Sequence, residues 1–413
     1  MVSDAAKPRK VAVDLMGDVI EHQRLLSEVL GKRTDALAPE DRARVQRLVT
    51  TTFRGMDRAD RLLGPHLQKR PPERVLNILR LGVVEICLGG ASHGVVNSCV
   101  EIAKANSATV RMSGLVNAVL RKIDPAKWDA LPVPRLPKWL RKPLLADYGK
   151  PTVEAMEAAH FAGAALDLTS KAPLEMGEAL PTGSTRLRDF GMVSTLPGFE
   201  AGDWWVQDAA AAVPAQVLNV SAGERVLDLC AAPGGKTMQL AAAGAIVTAV
   251  DISAGRMARV DENLTRCGLT AEVIVADALE YEAAPFDAIL LDAPCTATGT
   301  IRRHPDLPYA KDGSDFPHLF ELQEHLIDRA WGLLKPGGRL VFCTCSLLID
   351  EGEEQVRDAM LRLPDMKPDL EALKIPGINP DWIGPEGLRL RPDFWADKGG
   401  MDGFFIAAFR KPA

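Results

Sequence analysis

A short apolar run leads directly into a glycine turn at residues 226–237, which read VLDLCAAPGGKT. Such a run can form a buried strand of a parallel sheet. Gly234 and Gly235 would let the backbone approach a ligand that a Cβ atom would block. In α/β proteins, a turn at the carboxyl end of a strand often holds a nucleotide-like ligand. The stretch therefore predicts an α/β domain with a ligand site at this turn.

Two phosphate-binding motifs do not fit this turn. A P-loop needs a glycine five residues before its Gly-Lys-Thr, and Cys230 stands there instead. The dinucleotide fingerprint G-x-G-x-x-G is absent as well. We therefore predict a nucleoside-type cofactor that lacks a pyrophosphate.

Strand and helix signals alternate through the C-terminal part of the chain. Strands are predicted at residues 226–229, 246–250, 272–275, 288–291 and 339–343. This βαβ rhythm is typical of a doubly wound parallel sheet. An alternating run at residues 404–409 predicts a last, antiparallel strand at the sheet edge.

The N-terminal part has a different pattern. Apolar residues recur at three- and four-residue spacing between residues 11 and 123, which predicts a bundle of helices. A proline-rich stretch at residues 125–143 marks a boundary. We predict a helical domain at residues 1–135, a linker with a small mixed α/β subdomain at 136–218, and a catalytic α/β domain at 219–413.

Composition argues against membrane and disulfide-rich classes. No apolar run approaches the roughly 20 residues of a spanning helix, and the N-terminus lacks the apolar core of a signal peptide. We expect a cytoplasmic protein with no membrane partner. The seven cysteines form no Cys-x-x-Cys pair, which indicates reduced thiols and no metal site.

Charge is distributed unevenly along the chain. The net charge is −6, but residues 1–140 hold 23 Lys and Arg against 15 Asp and Glu, which is +8 and leaves −14 for the remainder. A basic module joined to an acidic one indicates contact with nucleic acid. A solvated helix face is the competing interpretation.

Acidic residues follow three of the predicted strands. Asp251, Asp277 and Asp292 stand at successive carboxyl ends, which meet at one crevice in a parallel sheet. Asp251 is suited to accept from both hydroxyls of a ribose, and Asp277 to accept from a purine amino group. Each acid alone also fits a helix N-cap.

Two cysteines lie just beyond strands, Cys295 in an Asp-Ala-Pro-Cys motif and Cys345 in a Thr-Cys-Ser motif. A thiol there is a candidate nucleophile, particularly where a cation such as Lys236 stabilises the thiolate. Either cysteine alone also fits a small buried apolar residue.

These motifs resemble those of RNA cytosine-5 methyltransferases of the RsmB/Nop2/Sun family. The resemblance rests on CAAPGGKT at residues 230–237, DAPC at 292–295 and TCS at 344–346. The segments ILRLG at 78–82 and VNAVLR at 116–121 resemble the NusB-like domain of the RsmB branch. This resemblance implies a Rossmann-like class I methyltransferase domain with a mixed, mostly parallel sheet. An all-α NusB-like bundle and a small mixed α/β subdomain would precede it.

The resemblance also implies S-adenosylmethionine as the cofactor. Its methionine part would contact Cys230, Ala231, Ala232, Pro233, Gly234, Gly235 and Lys236. Asp251 would bind the ribose and Asp277 the adenine, with Asp292 close to both cofactor and base.

The implied reaction is methylation of cytosine C5 in RNA, by resemblance in small-subunit 16S ribosomal RNA. Cys345 would add to C6 of the base, and Cys295 would assist release of the product. Asp292 would hydrogen-bond the N3/N4 edge of a flipped base, and Lys236 would contact both base and cofactor.

The chain departs from the family pattern in two places. Thr296-Ala297 stands where Ser-Gly is usual, and residues 166–170 read LDLTS where Leu-Arg-Val-Asn is usual. An expected arginine contact to RNA is therefore missing, and Lys171 would substitute for it poorly. We also expect Cys343 to face away from the crevice and to be structural.

Two alternatives stay open. One is the same reaction on tRNA or another rRNA site. The other is a non-catalytic NusB-like RNA-binding or transcription factor, against which Asp292, Cys295 and Cys345 argue because binding needs no thiols. We expect RNA and not DNA as the partner, and a monomer.

Overall fold

The computed structural model describes residues 2–188 and 190–413. Within them the chain forms two compact units. The first contains the residues up to Gly163 together with Ile301–Gly313, and the second contains Ala164–Thr300 together with Ser314–Ala413. The division into three domains with boundaries at residues 135 and 218 remains a prediction.

The first unit is built from helices, as predicted. In its described part these include α1 (Lys7–Ile20), α2 (Leu26–Thr34), α3 (Pro39–Leu63), α4 (Glu73–Cys87), α5 (Ser92–Lys104), α6 (Ser113–Leu120) and α7 (Lys138–Ala162). Proline and two acids occupy the first turn of α3, where free N–H groups and the helix dipole favour them. The chain kinks within α7 at Gly149, whose φ of 75° is not helical.

The segment Ile301–Gly313 packs within this helical unit. The Tyr309 ring stacks on Phe53 with centroids 5.6 Å apart. The Leu26 backbone N–H donates to Asp306 Oδ2 at 2.8 Å. The segment is therefore part of the helical core, although the strands on either side of it in sequence belong to the second unit.

A small antiparallel sheet begins the second unit. Its strands are β1 (Leu166–Ser170), β2 (Glu178–Ala179), β3 (Thr185–Leu187) and β4 (Trp204–Val206), in the order β2-β3-β1-β4. Asp167 of β1 and Arg186 of β3 are cross-strand partners. Their buried side chains form an ion pair with a distance of 2.6 Å.

A mixed sheet forms the centre of the second unit. Its strands are β5 (Arg225–Leu229), β6 (Ile246–Asp251), β7 (Glu272–Val275), β8 (Phe286–Asp292), β9 (Leu334–Thr344), β10 (Leu388–Leu390) and β11 (Phe404–Arg410). The order is β10-β11-β9-β8-β5-β6-β7. The pairs from β9 to β7 are parallel, whereas β11 pairs antiparallel with β9 and β10. The predicted mostly parallel sheet is confirmed. The prediction that residues 404–409 form its edge is wrong, because β10 lies outside β11.

Helices accompany this sheet along the chain. They are α8 (Ala209–Leu218), α9 (Gly235–Ala242), α10 (Ala254–Arg266), α12 (Phe316–Gly332) and α13 (Glu353–Arg362), while α11 (Leu307–Ala310) belongs to the first unit. Alternate residues of the strands enter two different apolar clusters: Leu227 and Leu291 belong to one, and Val226 and Leu290 to the other. No helix in the described parts of the chain is long and apolar enough to cross a membrane.

The strand order fixes where a ligand can bind. From β5 the chain proceeds to β6 and β7 on one side, and then to β8 and β9 on the other. Ligands of open α/β sheets bind at such a reversal, beyond the carboxyl ends of the strands. The turn after β5 and the loops after β8 and β9 meet this condition.

Candidate active site

The turn after β5 contains two residues with positive φ. Cys230 has a φ of 61° and Gly234 a φ of 96°. A Cβ atom on Gly234 would lie 3.0 Å from a side chain of α10, so glycine is required for space as well as for backbone angle. The Ala231 N–H donates to the Val250 carbonyl at 3.1 Å, which ties the turn to β6. The seven predicted cofactor residues at 230–236 thus form one turn that leads into α9.

Lys236 and Asp292 form a close ion pair at the ends of β5 and β8. Lys236 Nζ lies 2.7 Å from Asp292 Oδ2, and the lysine is 7% exposed. Burial lowers the pKa of Lys236, but the charge and hydrogen bond of Asp292, together with the smaller effects of Cys343 and Asp228, outweigh it, and the pKa lies above its ordinary value. Lys236 is therefore a charged ammonium at neutral pH, and it holds the Asp292 carboxylate in place.

Asp228 is a buried acid that the sequence analysis missed, because it lies within the apolar run of β5. It is 0% exposed. Thr237 Oγ1 donates to its Oδ2 at 2.6 Å, whereas its Oδ1 has no hydrogen-bond partner. Burial raises the pKa of Asp228 to about 7, despite the hydrogen bond from Thr237 and the charge of Lys236. The only sequence signal was one acid in an otherwise apolar strand.

Replacing Asp228 with asparagine should stabilise the protein at high pH. The folded chain keeps a proton on Asp228 until about pH 7, whereas an unfolded chain loses it near pH 4. Folding stability therefore falls as pH rises between these values, by on the order of 4 kcal/mol. Asp228→Asn removes this loss. Its free energy of unfolding in urea should exceed that of the unaltered protein at pH 8 and approach it at pH 4.

Asp358→Asn, which changes an exposed acid of α13, is the control and should show no such pH-dependent difference. If the free energy of unfolding changes with pH by the same amount in Asp228→Asn and in the unaltered protein, the assignment of a raised pKa to Asp228 is wrong.

Asp251 ends β6 and contacts the glycine turn. Its Oδ2 accepts from the Ala232 N–H at 3.2 Å and its Oδ1 from the Ser253 N–H at 2.9 Å. A carboxylate has about four lone-pair sites, so Asp251 can accept further hydrogen bonds, and Arg256 Nη1 lies 3.7 Å from its Oδ2. The next residue, Ile252, is 70% exposed. This exposed apolar side chain beside the acid is a second feature that the sequence analysis missed.

Asp277 lies exposed after β7. Its Oδ1 accepts from the Leu279 N–H at 2.9 Å, which is typical of an Asx turn. The contact of Asp277 with adenine therefore remains a prediction.

The two predicted catalytic cysteines lie together. Cys295 Sγ and Cys345 Sγ are 3.5 Å apart, and both residues are half-buried. The hydrogen bond with Cys345, followed by burial, raises the pKa of Cys295 well above its ordinary value. Cys295 is therefore a thiol that can donate a hydrogen bond to Cys345.

Cys343 was predicted to face away from the crevice, and this is wrong. Its Sγ donates to Asp292 Oδ1 at 3.5 Å. Residues two apart in a strand point to the same face, so Cys343 lies on the same side of the sheet as Cys345. Burial and the neighbouring Asp292 raise the pKa of Cys343 well above its ordinary value. Asp292 thus contacts both Lys236 and a buried thiol.

Thr296 stands where serine is usual in the family, and its hydroxyl makes polar contacts that a serine hydroxyl could also make. The Thr296 hydroxyl lies 3.1 Å from the Ser346 hydroxyl, and it also bonds Glu351. Ala297 has a φ of 58°, a conformation that favours glycine. The departure from Ser-Gly therefore keeps a hydroxyl but places a Cβ atom in a strained turn.

Lys171 is already engaged within the second unit. Its Nζ donates to the Cys267 carbonyl at 2.9 Å. Asp167, at the position of the usual family arginine, pairs with Arg186 of the neighbouring strand. Both side chains of this pair are buried, so Arg186 does not replace the missing RNA contact either.

Among residues 2–188 and 190–413, no group of three or more His, Cys, Asp and Glu side chains is arranged to hold a metal ion. The described site consists of acids, thiols and one ammonium.

Known proteins match both units. The family described as 16S rRNA methyltransferase RsmB/F matches residues 215–410, and the NusB family matches residues 6–125. Ribosomal RNA small subunit methyltransferase B of Pseudomonas putida is 34% identical over 98% of this chain and 99% of its own length. The protein of the same name from Vibrio vulnificus is 33% identical over 98% and 99%.

Solved structures share the architecture. PH0851 superposes with a TM-score of 0.76 at 22% identity, covering 100% of both chains, which supports the fold alone. A methyltransferase homolog protein from Pyrococcus horikoshii has a TM-score of 0.54 at 26% identity, covering 67% of this chain and 95% of its own. With a NusB domain ahead of a methyltransferase domain and relatives matched over nearly their full length, the chain belongs to the RsmB/F family of 16S rRNA methyltransferases.

Proposed function

We propose that this RNA methyltransferase transfers a methyl group from S-adenosylmethionine to C5 of a cytosine in small-subunit 16S ribosomal RNA. It would act in the cytoplasm as a monomer, on RNA and not on DNA. The observation that carries the proposal is the separation of 3.5 Å between Cys295 Sγ and Cys345 Sγ. The small-subunit target is supported by the names of the relatives.

The residues at the strand ends fit S-adenosylmethionine. The glycine turn provides a close backbone approach without a pyrophosphate motif. Asp251 retains acceptor sites for ribose hydroxyls, and the exposed Ile252 offers an apolar surface for a flat adenine ring. When bound, S-adenosylmethionine would supply an electrophilic methyl group.

Cytosine C5 is a weak nucleophile, so the protein must first activate the base. In the proposed reaction Cys345 adds as a thiolate to C6, and the electron pair of the C5=C6 bond moves to C5. C5 would use this pair to take the methyl group, whose former bonding pair would stay on the cofactor sulfur, and the C5 proton would then pass to solvent. The electrons of that C–H bond re-form C5=C6 and expel the Cys345 thiolate.

Cys295 is suited to assist this cycle. As a thiol it donates a hydrogen bond to Cys345 Sγ, which stabilises the thiolate before attack and again after release. Asp292 would accept from the N4 amino group of the base, extruded from its stack, and from N3 when the ring is protonated there. Its bond to Lys236 at 2.7 Å fixes the carboxylate for that contact.

Bisulfite mapping of total RNA from cells with and without the gene tests substrate and reaction together. We expect deletion to remove one 5-methylcytosine from 16S rRNA. The unaltered gene should restore it, and a Cys345→Ala gene should not. Loss of a mark from tRNA or another rRNA site would favour the alternative substrate. If no 5-methylcytosine depends on the gene, the proposed reaction is wrong.

The helical unit should contribute RNA affinity that depends on salt. Arg121 and Lys122 form an exposed basic pair after α6. Replacing both with glutamine should weaken RNA binding and reduce the slope of log Kd against log salt by up to about 1.8, because each phosphate contact contributes roughly 0.7 to 0.9. Filter binding at several salt concentrations would measure this.

Lys374→Gln, which changes an exposed lysine of the second unit, is the matched control. If the slope of log Kd against log salt is unchanged in the Arg121 and Lys122 double variant, this pair does not contact RNA.

A further inference from the structure

A buried carboxylate, Glu351, lies in the loop between β9 and α13. Its side chain is 0% exposed. The carboxylate accepts from the Thr296 backbone N–H at 2.9 Å and from the Thr296 hydroxyl. Gln323 Nε2 donates to it at 3.0 Å. All these donors are neutral, and Glu351 makes no ion pair within the described chain.

Glu351 is connected to both thiol-bearing segments. Its carboxylate binds Thr296, the residue that follows Cys295. Its backbone carbonyl accepts from Thr344 Oγ1 at 2.8 Å, and Thr344 precedes Cys345. Glu351 therefore hydrogen-bonds both Thr296, which follows Cys295, and Thr344, which precedes Cys345.

Further bonds join the same two segments. The Thr298 hydroxyl lies 3.2 Å from the Ser346 hydroxyl, and the Leu347 N–H donates to Thr298 Oγ1 at 2.9 Å. The Gly299 N–H donates to the Cys345 carbonyl at 2.9 Å. Of the side chains in this network, Glu351 carries a negative charge, and the buried Arg389 guanidinium, which donates to the Ser346 and Leu348 carbonyls, carries a positive one.

The charge of Glu351 acts on the nearer thiol. A negative charge in a buried setting disfavours a second one close by. The charge of Glu351 adds to the hydrogen bond with Cys345 and to burial, which are the larger causes of the raised pKa of Cys295. Both Cys345 and Glu351 therefore make loss of the proton from Cys295 less favourable.

We propose that Glu351 is a positioning residue that sets the different roles of the two thiols. It anchors the Cys295 loop next to Cys345 through Thr296 and Thr344, and its negative charge adds to the larger effects of Cys345 and of burial on Cys295. This inference rests on the proposed function. Glu351 itself touches neither base nor cofactor in this reaction.

Two substitutions test separately the charge of Glu351 and its hydrogen bonds to the Cys295 loop. Glu351→Gln keeps the size of the side chain and removes its charge. The new amide can still accept from the Thr296 N–H, and it can donate to Gln323 Oε1, which has no partner in the present arrangement. Thr296→Val removes one anchoring hydroxyl and leaves the charge of Glu351 in place. Glu354→Gln, which changes an exposed acid of α13, is the control.

The first readout is alkylation of the full-length protein by iodoacetamide from pH 6 to pH 10, without RNA or cofactor. Peptide mass spectrometry reports Cys295 and Cys345 separately. In Glu351→Gln the alkylation rate of Cys295 at a fixed pH in this range should rise about tenfold, whereas Thr296→Val and Glu354→Gln should leave it unchanged.

The second readout is methyl transfer to 16S rRNA. We expect kcat to fall about tenfold in both Glu351→Gln and Thr296→Val, with the KM for S-adenosylmethionine unchanged. An unchanged alkylation rate of Cys295 in Glu351→Gln would overturn the charge role. An unchanged kcat in both variants would overturn the positioning role.

These outcomes are distinct from a failure of the proposed function. If the unaltered protein methylated no cytosine, the proposed function would fail, and the alkylation profiles would still decide whether Glu351 controls Cys295. Circular dichroism and urea midpoints would establish that the variants are folded.

Discussion

Replacing Cys345 with alanine should abolish methyl transfer to RNA and leave S-adenosylmethionine binding intact. Without the thiolate, cytosine C5 receives no electron density from an adduct at C6, so the methyl group has no effective acceptor. Removal of a catalytic nucleophile commonly costs about 10⁴-fold or more in rate. Transfer of tritiated methyl groups into 16S rRNA would measure the loss, and calorimetric titration would measure cofactor affinity.

Cys87→Ala is the matched control, because Cys87 is a half-buried thiol of the helical unit. It should keep the rate of the unaltered protein. Measurable turnover by Cys345→Ala above background would remove Cys345 as the nucleophile. Equal loss of cofactor binding would instead assign Cys345 to the binding site.

Replacing Cys295 with alanine should cause a covalent protein–RNA adduct to accumulate. Cys295 Sγ lies 3.5 Å from Cys345 Sγ, where its S–H can stabilise the departing thiolate. Without that hydrogen bond the Cys345–C6 bond should break more slowly than it forms. The adduct should appear on a denaturing gel as a band of reduced mobility that contains labelled RNA.

The double variant Cys295→Ala with Cys345→Ala should form no adduct, since it has no nucleophile to attach. An adduct in the double variant would place the covalent bond elsewhere. Its absence from the single variant, with turnover preserved, would show that Cys295 is not needed for release.

The parallel strands could be predicted from sequence because each is a short apolar run with turn residues at its end. Strand β9 shows the limit of that reasoning. It begins at Leu334, ahead of Pro336 and two glycines, which are residue types that normally interrupt a strand. The predicted strand began only at residue 339. Strand β10 was missed because it has three residues and no recognisable pattern.

The candidate site could be predicted only where a residue type indicates its chemistry. Cys345 and Cys295 could be singled out because a thiol just beyond a strand end is a candidate nucleophile. Glu351 was not singled out, because four acids follow the Thr-Cys-Ser motif and sequence does not reveal which of them is buried. Asp228 was hidden in an apolar run in the same way. Burial is a tertiary property, and the local pattern carries little information about it.

Cys343 illustrates a different kind of error. The prediction treated residues two apart as pointing to opposite faces of a strand. Side chains in a strand alternate with a period of two residues, so Cys343 and Cys345 share a face. This geometry could have been applied to the sequence alone, and it would have placed a third thiol near Asp292.

The segment Ile301–Gly313 has a consequence for the order in which the chain matures on the ribosome. The helices up to Gly163 are synthesised long before Tyr309 and Asp306, at about 5 to 20 residues per second. Until then Phe53 lacks its stacking partner and the Leu26 N–H lacks its acceptor. The N-terminal unit is therefore synthesised first but reaches its final packing only after translation has passed residue 313. Vectorial folding of this chain cannot proceed as two independent steps.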